Sequence, residues 1–344
     1  MQSFINELKT ISESKNNDIM LFEICGRIKR EELDFGVHDL AYYNISHHWA
    51  KEEPCMLGCP VYIPSSYGAK IRVDCYVPHV SREIDPQVKR PAIVVCPGGG
   101  YRFCSEREAE PIALRFLAEG FNVFVVWYRV HESDAPRKDH EAREWYSESP
   151  DHIFPMMQHD AGAAIAYVRS HAEELHTDPE RIAILGFSAG GHLAASVSAL
   201  WNRMEVWQEI GLVPEDVRPN AAVLCYPVIA ADEDAHRGSF ENLTGSKALE
   251  DHQPYSILNW VSGDFPPTFL WHTFSDPSVP VKNSLRMALA LADAGVKTEM
   301  HIFPEGTHGL SLANEIAAPL QKTEMIVPAC QIWPQLAARF LKGL

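Results

Sequence analysis

Residues 181–200 read RIAILGFSAGGHLAASVSAL. Ile182 to Phe187 make a continuous apolar run of strand length, and from Ala189 onward small and apolar residues recur at helical spacing. Between the two, Gly186, Ser188 and Gly190 spell G-x-S-x-G, with Ala189 and Gly191 extending the run of small side chains. A sharp strand-to-helix turn forces its central serine into strained dihedrals and draws neighbouring backbone close, so the flanking side chains have to be tiny. The expected result is a Ser188 hydroxyl lifted above the sheet edge, over a helix N-terminus. Unpaired N–H groups and the positive end of the helix dipole there favour developing negative charge.

A nucleophilic serine needs a base and a group that orients the base, and with this turn the acid precedes the histidine along the chain. Asp276, in HTFSDPSVPVKNSL, follows the apolar run ending near His272, and His308, in HIFPEGTHGL, follows the run ending near Phe303. Both belong on loops at the carboxyl ends of strands, the edge that carries Ser188. Upstream, VVCPGGGYRF places Gly98, Gly99 and Gly100 after another apolar run. Bare backbone there is able to aim N–H groups at a tetrahedral oxyanion, with the N–H of Ala189 as the other donor. A phosphate-binding loop is the competing reading of these glycines, and the lack of G-K-[ST] argues against it.

The rest of the chain supplies a frame for these loops. KIRVDCYVP from Lys70 alternates as a strand with one wet face. AIVVC from Ala92, FNVFVVW from Phe121, RIAILGF from Arg181, AAVLCY from Ala221, TFLWHT from Thr268 and TEMHIF from Thr298 are apolar on both faces, as strands buried beneath helices are. SEREAEPIALRFLAEG, with Ser105 and Glu108 at capping-box spacing and Gly120 as a stop, and VPVKNSLRMALALADAG, ending at Gly295, read as helices between them. The alternation predicts an α/β fold with a mostly parallel, doubly wound sheet over residues 70–344, its ligand at the carboxyl ends of the strands. Residues 1–69, mixed and rich in turn formers, are expected to wrap this core as an N-terminal extension. Two long segments, from Val130 and from Ala231, follow strands and belong on the binding face as lids or substrate walls.

Composition narrows the partners. Of 344 residues, 46% are hydrophobic, and 30 Lys and Arg against 46 Asp and Glu leave a net charge of −16, which repels nucleic acid and anionic membrane surfaces. The first residues lack an uninterrupted apolar stretch, and no later segment is long enough to span a bilayer, so a cytoplasmic location is expected. The eight cysteines are scattered and read as reduced thiols. Cys55 and Cys59 lack a second pair at zinc spacing, and His47 and His48 lack a carboxylate partner, so no metal is expected. The sequence does not decide between a monomer and a homo-oligomer.

At these motifs the chain resembles the α/β-hydrolases of the carbohydrate-esterase type, the acetylxylan esterase-like and feruloyl esterase-like proteins. The resemblance rests on PGGGYRFCSEREAEPIALRFLAEGFNVFVV, RIAILGFSAGGHLAA, PPTFLWHTFSDPSVPVKNSLRMALALADAGVKTEMHIFPEGTHGLSLA and the closing IWPQLAARFL, over residues 70–344. It implies a triad of Ser188, Asp276 and His308, an oxyanion hole near Gly99, Gly100 and Ala189, no cofactor, and removal of small acyl groups from sugars. The expected partner is then a small-molecule ester or an acetylated oligosaccharide. Aromatic faces cover the apolar side of a sugar ring, which makes Tyr101, Trp145, Tyr146 and Trp260 the expected substrate contacts.

Competing readings are a short-chain lipase or carboxylesterase, a peptidase of the same fold, and a non-catalytic receptor built on it. Such peptidases commonly carry a large accessory domain, for which residues 1–69 are too few. A receptor predicts a lost triad member, and all three are present.

Overall fold

Eight strands build one sheet: β1 (Met56–Pro64), β2 (Lys70–Val77), β3 (Arg90–Cys96), β4 (Asn122–Trp127), β5 (Thr177–Phe187), β6 (Ala221–Cys225), β7 (Thr268–Thr273) and β8 (Thr298–Phe303). The computed structural model describes residues 56–81, 83–130 and 154–344, all within the unit Cys55–Leu344. Strand order is β1-β2-β4-β3-β5-β6-β7-β8, with β1/β2 and β2/β4 antiparallel and every other pair parallel. The chain leaves β3 in one direction to form β4 and returns on the other side of β3 to form β5. The order reverses there, which opens a crevice at the carboxyl ends of β3 and β5.

Among the described residues, six helices have eight or more residues: α1 (Glu110–Leu117), α2 (Met156–Ser170), α3 (Ala189–Leu200), α4 (Arg237–Thr244), α5 (Lys282–Asp293) and α6 (Trp333–Lys342). They cover both faces of the sheet, which is why its strands read as unbroken apolar runs. Val94, Ile184, Leu224 and Leu270 pack on one face with Met157 and Ile165 of α2, Leu193 of α3 and Met287 of α5. Their neighbours Val95, Leu185, Val223 and Phe269 pack on the other with Ile112 and Phe116 of α1 and Trp333 of α6. Trp271 stacks on Trp333 at 5.2 Å between ring centroids. No helix among the described residues is long and apolar enough to cross a membrane.

Three expectations need correction. Strand β1 lies inside the segment set apart as residues 1–69, so the sheet reaches back past the boundary at 70 to Met56. Its sequence MLGCPVYIP carries two prolines, a glycine and a register shift between Leu57 and Cys59, features an edge strand tolerates and a central strand does not. Strand β2 has less of a wet face than its alternation suggests. Asp74 is buried and accepts from Arg72 Nε at 2.6 Å, Arg72 Nη2 at 3.0 Å and Trp127 Nε1 at 2.8 Å. The capping box of Ser105 and Glu108 does not form, because α1 starts only at Glu110 and the Glu108 side chain turns inward.

A buried ion pair joins the end of the β4 segment to α2. Arg129, two residues past β4, places Nη2 2.7 Å from Asp160 of α2, its main-chain N–H donates to the same carboxylate at 2.8 Å, and its guanidinium also reaches Ser66 and the Met156 carbonyl. Both charged side chains are almost wholly buried.

Candidate active site

The turn after β5 takes the strained form its glycines imply. Ser188 sits at φ 53°, ψ −118°, in the positive-φ region that costs a side chain about 1–3 kcal/mol. A Cβ on Gly186 would lie 2.0 Å from the Gly190 carbonyl oxygen, and one on Gly190 would lie 2.2 Å from the Cys96 carbonyl oxygen, so neither position admits a side chain. Ser188 N–H donates to the Cys225 carbonyl at 3.0 Å, which anchors the turn to the end of β6.

The loops after β7 and β8 bring the other two groups to this turn. His308 Nε2 is 2.7 Å from Ser188 Oγ, and His308 Nδ1 is 2.7 Å from Asp276 Oδ2. The carboxylate only accepts, so the Nδ1 proton faces Asp276 and Nε2 is left to accept the serine proton. Asp276 Oδ1 accepts from the N–H groups of Ser278 and Val279 at 2.9 and 3.0 Å. Burial alone would push this carboxyl up, but hydrogen bonds from His272 and His308 and from the Val279 N–H outweigh it and hold Asp276 well below the usual carboxylate range. Gly306 joins the two loops, its N–H donating to Ser275 Oγ and its carbonyl accepting from Thr273 Oγ1.

The glycine loop after β3 lies on the other side of Ser188. Gly99 has φ +134°, and a Cβ there would lie 1.9 Å from the Phe103 carbonyl oxygen. The carbonyls of the loop are occupied: Gly98 O accepts from Ser105 N–H, Gly99 O from Arg102 and Phe103 N–H, and Gly100 O from Asn242 Nδ2 of α4 at 2.7 Å. The N–H groups of Gly99, Gly100 and Ala189 form no hydrogen bond among the described residues. A serine, a base, an oriented acid and free amides thus stand together, a set able to attack a carbonyl and hold the oxyanion that results.

The expected aromatic contacts fare differently. Tyr101 is buried, with its hydroxyl donating to His192 Nδ1 at 2.8 Å and its ring edge-on to Tyr128. Enclosed in this way it has no face to offer a sugar, so that expectation is corrected. Trp260 is half-buried and packs with Phe154 at 5.7 Å and Tyr255 at 6.4 Å, and its ring contacts do not reach the triad. Trp145 and Tyr146 lie outside the described residues.

Other groups at the site escaped the sequence reading. His272, inside β7, lies behind Asp276. His236 caps α4 by accepting from Ser239 N–H at Nδ1, and burial first, then the proximity of His308, lowers its pKa. Glu108 accepts from Gly98 N–H at 2.8 Å and from the Tyr226 hydroxyl at 2.6 Å. Only Glu108 carried a signal, its spacing from Ser105, and that spacing suggested a helix cap.

Comparison with known proteins places these features in context. The BD-FAE family model matches residues 142–291. Among curated proteins the chain is similar to endo-1,4-beta-xylanase B of Butyrivibrio fibrisolvens, 32% identical over 66% of this chain and 34% of that protein. It is also similar to an acetylxylan esterase of Xylanibacter ruminicola, 32% identical over 63% of this chain and 40% of that protein. The chain therefore spans only about a third to two-fifths of the length of these curated relatives. Among solved structures, an acetyl ester-xyloside bifunctional hydrolase from Caldicellulosiruptor lactoaceticus superposes with a TM-score of 0.61 at 35% identity, covering 80% of this chain and 88% of that one.

Proposed function

The chain belongs to the α/β-hydrolases of the carbohydrate-esterase type, and from that premise we propose that it is a serine esterase removing short acyl groups, acetyl above all, from carbohydrates such as xylo-oligosaccharides. The observation that carries this reading is the hydrogen-bonded series Asp276–His308–Ser188 beside three amides that form no hydrogen bond among the described residues. His308 Nε2 takes the Ser188 proton as Oγ attacks the ester carbonyl. The oxyanion is met by the N–H groups of Ala189 and of Gly99 and Gly100. His308 gives the proton to the sugar oxygen as its bond to the acyl carbon breaks, so the sugar leaves as an alcohol; water then attacks the acyl-enzyme with His308 as base, the acid departs and the proton returns to Ser188 Oγ. Throughout, Asp276 keeps the Nδ1 proton facing itself and stabilises the imidazolium. The sugar preference is supported by the names of the three relatives above, all of which concern xylan or xylosides.

Acetate release from acetylated xylo-oligosaccharides, measured beside simple short-chain and long-chain esters, tests the substrate class. Turnover confined to long acyl chains rejects the sugar reading in favour of a lipase. Ser188→Ala tests the mechanism: turnover of a chromogenic acetate ester is expected to fall by about 10⁴-fold or more with the fold intact. Retained turnover refutes the mechanism.

A further inference from the structure

Glu108 is a carboxylate sealed inside the protein with no cation within ion-pair distance among the described residues, although its backbone neighbour Arg107 points away to the carbonyls of Gly309 and Ala317. Burying an unpaired charge is expensive, and a fold that only needed a filler there would be served by an apolar side chain. Its two oxygens have separate tasks. Oε2 accepts from the N–H of Gly98, the residue that leads into the Gly99 and Gly100 amides, and Oε1 accepts from the Tyr226 hydroxyl. The Tyr226 oxygen in turn accepts from Ser311 N–H at 2.9 Å, on the loop that carries His308. Its ring stands edge-on to the His308 imidazole, 5.2 Å between centroids at 72°. Because both carboxyl oxygens accept, and the tyrosine proton has no other use, the arrangement fits the ionised form of Glu108.

Packing makes this placement exact in register. A Cβ on Gly98 would lie 2.7 Å from Glu108 Oε2 and 3.1 Å from Ser188 Cβ, so the space between the carboxylate and the serine admits no side chain there. Ser311 Oγ donates to the Arg107 carbonyl, which ties the histidine loop to the same turn. One side chain thus joins the loop after β3, the end of β6 and the loop after β8.

We propose that Glu108 is a positioning residue for the esterase reaction: it sets the amides of Gly99 and Gly100 and, through Tyr226, the His308 loop in one fixed relation to Ser188. This inference rests on the triad reading above. Burial pushes the Glu108 carboxyl up, while the hydrogen bonds from Tyr226 and Gly98 and the nearby His308 act against burial. Its negative charge also favours the imidazolium that forms on His308 during attack.

The experiment compares Glu108→Ala, Glu108→Gln, Tyr226→Phe and Ser188→Ala with the unaltered protein. It measures kcat and KM on a chromogenic acetate ester, the folded fraction by thermal melting, and inhibition by an alkylboronic acid that forms a tetrahedral adduct on serine. Glu108→Ala is expected to lower kcat about 100-fold while KM changes less than about threefold, the split that marks an interaction used only in the transition state. Glu108→Gln keeps an acceptor for Gly98 and should recover about tenfold of that loss, and Tyr226→Phe should cost about five- to tenfold in kcat. Affinity for the boronic acid should fall in parallel with kcat/KM. Should Glu108→Ala fail to fold, the other two variants decide. Folded Glu108→Gln and Tyr226→Phe proteins with kcat within about twofold of the original, or with losses confined to KM, overturn the proposal even if Ser188→Ala is inactive. An active Ser188→Ala overturns the triad reading itself, and this inference with it.

Discussion

His272 Nε2 lies 3.3 Å from Asp276 Oδ2 while standing 3.0 Å from the Val279 carbonyl. The carbonyl can only accept, so Nε2 carries a proton, while Nδ1 pairs with the Ser284 hydroxyl at 2.8 Å. Asp276 Oδ2 therefore faces the N–H of His272 on one side and that of His308 on the other. Replacing His272 by Phe removes the rear donor and leaves Val279 and Ser284 unpaired. The expected effect is a kcat about tenfold lower with KM nearly unchanged, together with about 1–3 kcal/mol less stability in urea. A kcat equal to that of the unaltered protein would show that His308 and the Ser278 and Val279 amides orient Asp276 unaided.

A second buried histidine sets an acid limit on stability. His192 Nδ1 accepts from Tyr101 and Nε2 donates to the Tyr255 carbonyl at 2.8 Å, and burial pushes its pKa down to about 4. The unfolded chain takes up this proton near pH 6.5 and the folded chain only near 4, so stability is complete above about 6.5 and is lost as pH falls between the two. The loss should reach about 2–3 kcal/mol by about pH 4.5. The depressed Asp276 acts in the same sense at still lower pH, and Glu108, raised by burial, acts in the opposite sense. Urea unfolding of His192→Gln isolates the contribution: its stability should change less between neutral pH and about pH 4.5 than that of the unaltered protein. Equal slopes in the two proteins would dismiss it.

Gly98 has no spare volume. Gly98→Ala would bring a methyl 2.8 Å from the Phe187 carbonyl oxygen as well as against Glu108 and Ser188, two of the contacts being closer than real Cβ atoms come. Activity on an acetate ester is expected to fall by at least about 100-fold, because both the serine and the amide loop must move, and a melting experiment should show lower stability. An alanine variant with normal kcat would mean that the glycine loop does not serve the reaction.

The Arg129–Asp160 pair offers a test of buried charge away from the chemistry. Removing one partner, as in Asp160→Asn, leaves a guanidinium nearly without solvent and should cost about 3–5 kcal/mol in urea unfolding. Replacing both residues with apolar side chains of similar volume should cost clearly less. If the double variant is as unstable as the sum of the singles, the hydrogen bonds to Ser66 and Met156 matter more than the charge.

Much of this arrangement was legible along the chain. Strand β2 announced itself by its alternation and β3 to β8 by their apolar runs, and Ser188, Asp276 and His308 because each follows such a run within a few residues. The glycines at 186, 190 and 99 are local consequences of backbone crowding and so appear as local signals. Strand β1 was hidden by its prolines and bulge. Glu108 and Asn242 acquire their roles from partners far along the chain, 118 residues away in the case of Glu108 and Tyr226, and His272 acquires its role from the turn that follows β7; no short motif encodes either. Tyr101 misled for the reverse reason: it follows a glycine loop on the binding edge, yet its hydroxyl finds His192 in the interior.

The guanidinium of Arg129 holds the chain where it departs the sheet, and the Met156 carbonyl and Asp160 hold it where it rejoins, at one point. Ser188, Asp276 and His308 hang instead from β5, β7 and β8. The buried staple and the hydrolytic machinery thus rest on separate strands, so a substitution that loosens Arg129 is expected to cost stability while leaving the triad's mutual geometry as it is.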